Sequence, residues 1–88
     1  MSRTPIRMTE HGLKIAQRLK EIRRIRNVTQ ASLAKTLGVA YQQINKYESG
    51  INRIPSDRLA EIAEALDVSP AWFFRDGPIH TLENRKAA

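Results

Sequence analysis

The 88-residue chain contains no cysteine. Disulfides and thiolate metal sites are thereby excluded, the fold must stand on apolar packing, and a reducing cytoplasm suits it. No run of about 18 apolar residues occurs, so no segment has the composition of a membrane-spanning helix. There is no Gly-rich phosphate loop, no G-x-S-x-G and no pair of carboxylates in a plausible cleft, and an enzyme is not expected. The two histidines, His11 and His80, are far apart and lack ligand spacing, so neither a metal nor another cofactor is expected. Internal repeats and low-complexity tracts are absent. The opening residues, MSRTPIRMTEHG, carry charge without a following apolar segment and read as an arm and not as a signal peptide.

Basic residues are in excess. The formal net charge is +6 and the pI near 10.3, which suggests a polyanionic partner. The excess is lopsided: Met1 to Arg53 holds 11 Lys and Arg against 3 Asp and Glu, whereas Ile54 to Ala88 holds 4 against 6. The length suits one domain. The expected organisation is a flexible N-terminal arm over 1–10, one folded domain over 11–76 and a C-terminal tail over 77–88. In the arm, Arg3 and Arg7 are placed to reach around a duplex, although a frayed terminus is the simpler reading.

The periodicity predicts an all-α, five-helix fold. From about Leu13 to Arg26, the residues Ile15, Ala16, Leu19 and Ile22 form a helical stripe, with Lys14, Arg18, Lys20 and Glu21 outside it and Ile25 off it. Thr29 is a suitable N-cap for a second helix carrying Leu33, Ala34 and Leu37. Gly38 then ends that helix, since glycine takes the left-handed conformation at little steric cost. A third helix begins near Tyr41, buries Ile44 and Tyr47, and stops at Gly50. Its cap position holds Ala40, and the missing side-chain cap costs about 1 kcal/mol. Pro55 and Ser56 announce a fourth helix with Leu59, Ile62, Ala63 and Leu66 on one face, stopping near Asp67. Ser69 and Pro70 open a short fifth helix through Phe74, broken by Gly77 and Pro78. The second and third helices, hinged at Gly38, make a helix-turn-helix pattern.

The span from about Leu13 to Phe74 resembles the Cro and repressor type of helix-turn-helix domain (the XRE family), found in lambdoid phage repressors and many small bacterial regulators. The shared marks are TQ opening the second helix, ASLA, LGV at the turn, an Ile three before Tyr-Glu, Ser-Gly ending the third helix, and LAEIAEALDVSP. The resemblance implies a five-helix, lambda-repressor-like DNA-binding domain. It also implies that Arg23 and Glu48 form a partly buried ion pair tying the first helix to the end of the third, worth about 3 kcal/mol if one partner is removed. In the phage repressors the same Gly-Ile-Asn triplet follows the recognition helix, which implies that Asn52 lies at the DNA.

The third helix can be assigned from its geometry. At about 100° per residue, with Ile44 at 0° and Tyr47 near 300°, Gln42 falls near 160° and Lys46 near 200°, away from the core, with Asn45 on the flank of the same face. An α-helix fits the major groove, where Gln matches adenine and Lys matches guanine. Gln42 and Lys46 are therefore the first candidates for base reading. Gln43 and Asn45 can read bases or hold phosphates. Tyr41 aligns with a base-reading position of the phage repressors but lacks an amide, which leaves a thymine methyl, a sugar or a phosphate as its contact. Gln30, Asn52 and Arg53, at the rim of the motif, are candidates for the DNA backbone.

Trp72, Phe73 and Phe74 fan over about 200° of a helix, so at least one ring should emerge from a small core. The structural reading has Trp72 and Phe73 cap the core with Phe74 half exposed. The functional one takes the exposed ring, with Ile79 or Leu82, as a two-fold dimer contact, and Trp72 and Phe74 are its candidates. The expected function is that of a sequence-specific DNA-binding transcriptional regulator, a repressor on a palindromic operator, with double-stranded DNA and a second copy of the chain as partners. An antitoxin and a restriction-modification controller protein are alternatives within DNA binding. A protein-interaction module that binds another regulator and no DNA is the alternative of a different class.

Overall fold

The computed structural model describes residues 8–75. Arg3 and Arg7 of the arm, and Ile79 and Leu82 of the tail, lie outside the described residues. The chain is all-α, with helices α1 (Glu10–Ile25), α2 (Gln30–Leu37), α3 (Tyr41–Glu48) and α4 (Ser56–Ala65), then a 3-10 helix over Pro70–Phe74. α1 starts ahead of the expected Leu13. Thr9 is its N-cap, the hydroxyl accepting from the Gly12 backbone N–H at 2.9 Å, and Glu10 places an acid in the first turn. α2 is capped in the same way by Thr29, which accepts from Ser32 N–H at 3.0 Å. Ala40 leaves α3 without a side-chain cap.

A single device ends each α-helix among the described residues. Asn27, Gly38, Gly50 and Asp67 all take positive φ. The next residue, Val28, Val39, Ile51 or Val68, returns its N–H to a carbonyl five positions back, at Arg23, Ala34, Lys46 and Ala63, each at 3.0 Å. This is the geometry of a Schellman ending. The glycines at two of these ends are plain in the sequence, whereas Asn27 and Asp67 fill the same role because a short polar side chain tolerates the left-handed region. Val28, Val39 and Val68 turn toward the core. Ile51 does not, and is 69% exposed.

The hydrophobic core is a single cluster of buried residues: Leu19 and Ile22 of α1, Leu33 and Ala34 of α2, Ile44 and Tyr47 of α3, Leu59, Ile62 and Ala63 of α4, then Leu66, Val68, Trp72 and Phe73. α2 packs on α3 and α4, while α1 packs on α3 and on the 3-10 helix. The fifth helix is thus present, but as a 3-10 turn capped by the Ser69 hydroxyl, which accepts from Ala71 N–H at 3.2 Å. The cationic side chains tie elements together. Arg26 donates to the Leu66 carbonyl at 2.8 Å and the Asp67 carbonyl at 3.1 Å, so the end of α1 covers the unpaired end of α4.

Arg18 corrects the sequence reading. Expected outside the apolar stripe, it is only 4% exposed. Its Nε donates to the Trp72 carbonyl at 3.0 Å, and its guanidinium carbon sits 4.1 Å from the centre of the Trp72 ring. A guanidinium is weakly hydrated and stacks on aromatic faces, so a planar cation is accepted where a lysine ammonium would not be.

Candidate nucleic-acid interface

The site is built on α3, whose two faces differ in kind. Ile44 and Tyr47 are buried, while Tyr41, Gln42, Asn45 and Lys46 are exposed and Gln43 is half-buried. The split follows from the spacing, since residues three apart share the inward face and those between them are turned out. The polar face ends at Gly50, where the Lys46 carbonyl accepts from the N–H groups of both Ile51 and Asn52, at 3.0 and 3.2 Å. Asn52 and Arg53 follow on the surface directly after this turn.

Behind α3, charged and polar groups close one network. Arg23 clasps Glu48 through both ends of its guanidinium: Nε donates to Oε2 at 2.5 Å and Nη2 to Oε1 at 3.0 Å. The side chains are 13% and 3% exposed, so this is a buried, bidentate pair of the strong kind. The third nitrogen, Nη1, donates to the Val28 carbonyl at 2.8 Å, which fixes the turn entering α2. Gln30, placed at the rim by the sequence, is half-buried and donates from Nε2 to Glu48 Oε1 at 3.0 Å. Its amide is therefore partly committed to the protein.

Of the residues suggested for a dimer contact, Trp72 is withdrawn. It is 4% exposed, packed edge-on against Phe73 with ring centres 5.1 Å apart. Its indole N–H is buried with no hydrogen-bond partner among the described residues. The exposed ring is Phe74, at 62%. Arg18 beneath Trp72 explains the inward choice, because the indole covers the cation and the apolar core at once. Ile51 is the surface residue that periodicity did not single out. Its signal lies in the comparison of four helix endings, three of which pack the residue that follows the left-handed position against the core.

Among the described residues, no three His, Cys, Asp or Glu side chains gather as they would around a metal, and no helix is long and apolar enough to cross a membrane.

The chain matches the family model described as helix-turn-helix over residues 19–73. It is 43% identical over 67 residues to an uncharacterised HTH-type transcriptional regulator of Sinorhizobium fredii, covering 76% of this chain and 47% of that protein. It is 39% identical over 57 residues to the cryptic phage CTXphi transcriptional repressor RstR of Vibrio cholerae, covering 65% of this chain and 51% of the repressor. The chain thus spans about half the length of the curated relatives it matches. Among solved structures, a chain of a SinR protein/SinI protein complex superposes with a TM-score of 0.62 at 26% identity, covering 80% of this chain and 75% of that one. The match to the family model takes in α2, the turn at Gly38 and α3, the elements that carry the site, and the chain belongs to the XRE family of helix-turn-helix domains.

Proposed function

We propose that the chain is a sequence-specific DNA-binding transcriptional regulator that represses by occupying a palindromic operator as a dimer. The observation that carries this reading is the outer face of α3, where Gln42, Asn45 and Lys46 stand exposed opposite the buried Ile44 and Tyr47. Amide and ammonium groups on one face of a helix match base edges in the major groove, and the backbone contacts belong at the rim, with Gln30, Asn52 and Arg53. Tyr41 and Gln43, at the start of α3, lie where its first turn would meet the groove. The basic excess lies in residues 1–53, the part of the chain that includes this helix. Repression is supported by the Vibrio cholerae relative, a phage transcriptional repressor. A dimer is supported by the exposed Phe74 ring and by the short reach of one helix, which reads only a few base pairs. Since the partner is DNA, the cytoplasm is the compartment of action.

The test begins with selection of bound duplexes from random DNA by the full chain. Gln42→Ala and Lys46→Ala should each relax the preference for the selected sequence, costing about 1–3 kcal/mol of discrimination. Arg53→Ala should weaken all sequences alike and reduce the salt slope by about one. Parent-like binding by all three variants would refute the recognition role of α3. A second reading, control by a protein partner, is favoured by the likeness to a chain solved in a SinR protein/SinI protein complex. Failure of the chain to select any duplex would favour that reading alone.

A further inference from the structure

Resting on the DNA-binding reading, we infer that Glu48 is a positioning residue for the DNA backbone: it holds the Gln30 side-chain amide so that one Nε2 proton stays on the protein and the other is presented to a phosphate. The orientation of a glutamine amide is set by its partner. An ionised carboxylate only accepts, so the group that Gln30 turns toward Glu48 Oε1, 3.0 Å away, is its nitrogen. The amide is planar, and its second N–H points away from the carboxylate. Gln30 is the first residue of α2 and remains half-buried, with part of its surface open at the rim of the motif.

Glu48 can do this because it is itself held. Arg23 occupies Oε2 with Nε and shares Oε1 through Nη2, and the remaining Arg23 nitrogen fixes the Val28 carbonyl, two residues before Gln30. The start of α2 and the end of α3 are thereby registered on one carboxylate. A phosphate bound through Gln30 is then placed relative to Gln42, Asn45 and Lys46 by bonds internal to the protein. Glutamine at position 48 would not serve, since its single acceptor oxygen cannot satisfy Arg23 and Gln30 as two oxygens do. Gln30 would lose its acceptor or flip, and a flipped amide presents its carbonyl oxygen to the phosphate.

The role is tested on a duplex selected by the parent chain, with dissociation constants for the parent, Gln30→Ala, Glu48→Gln and the double variant at a temperature where circular dichroism shows each folded. Gln30→Ala and Glu48→Gln should each weaken binding by about tenfold, the loss of one charge-assisted hydrogen bond. In the Gln30→Ala background, Glu48→Gln should cost clearly less than the tenfold it costs alone. A purely structural Glu48 would instead give losses that multiply, and that result would overturn the assignment. If Glu48→Gln does not fold, the parent complex decides by NMR. Two separate, slowly exchanging Gln30 side-chain amide protons in the DNA complex are expected, and a freely exchanging pair would overturn the assignment. A parent chain that selects no duplex removes the DNA-binding reading and this role with it, which separates the two failures.

Discussion

Gly38 and Gly50 end neighbouring helices with φ of 74° and 79°, yet they are not equivalent residues. A Cβ on Gly38 would meet nothing within 4 Å, whereas one on Gly50 would lie 2.8 Å from Leu13 Cδ2. Gly38→Ala and Gly50→Ala should nevertheless each cost about 1 kcal/mol for the left-handed backbone by urea unfolding, because the half-exposed Leu13 can swing its methyl away from the added Cβ. At the opposite end of α3, Ala40→Ser should add about 1 kcal/mol by supplying the missing cap. Removing one partner of the buried pair, as in Arg23→Ala, should cost about 3–5 kcal/mol and show in the same unfolding curves. Residues whose role depends on near neighbours, such as the Thr29 cap and the two glycines, were legible in the sequence. Arg18 was not, since its partner Trp72 is 54 positions away, and the bond from Gln30 to Glu48 was hidden for the same reason.

The helices themselves were legible because the apolar spacing that defines each one is local, and the inward faces of α2, α3 and α4 hold the residues the spacing indicated. Two boundaries moved. α1 reaches back to Glu10 because Thr9 caps it, a signal that lay just before the first apolar residue of the stripe. The last helix is 3-10, which puts Trp72 and Phe73 into the core and leaves Phe74 outside. Three rings in a row cannot share one face of a helix, and the tighter turn does not alter that constraint; it decides which one emerges. The two phenylalanines should then separate cleanly. Phe73→Ala, at a fully buried position, should destabilise by about 3–5 kcal/mol. Phe74→Ala should leave monomer stability within about 0.5 kcal/mol, while sedimentation should show it shifted toward monomer if the exposed ring forms the proposed dimer contact.

At the scale of the molecule, charge is divided along the chain, with the basic excess in the half that carries α1 to α3. Affinity for any duplex should therefore fall steeply between low and physiological salt, and a salt-independent constant would contradict the proposed interface. That asymmetry was readable from composition, whereas the register between α2 and α3 was not, because it rests on side chains from separate elements meeting on Glu48. The enclosed indole has an optical consequence. Trp72 is the chain's sole tryptophan, shielded from water and lying in the 3-10 helix, which packs on α1 and α4. Its emission should be blue in the native state and shift to the red on unfolding. Because the ring sits in the core and not on the outer face of α3, that colour should stay constant when a duplex is added. One intrinsic chromophore thus reports folding independently of binding, and it can show for each variant above whether a lost affinity is a lost contact or a lost fold.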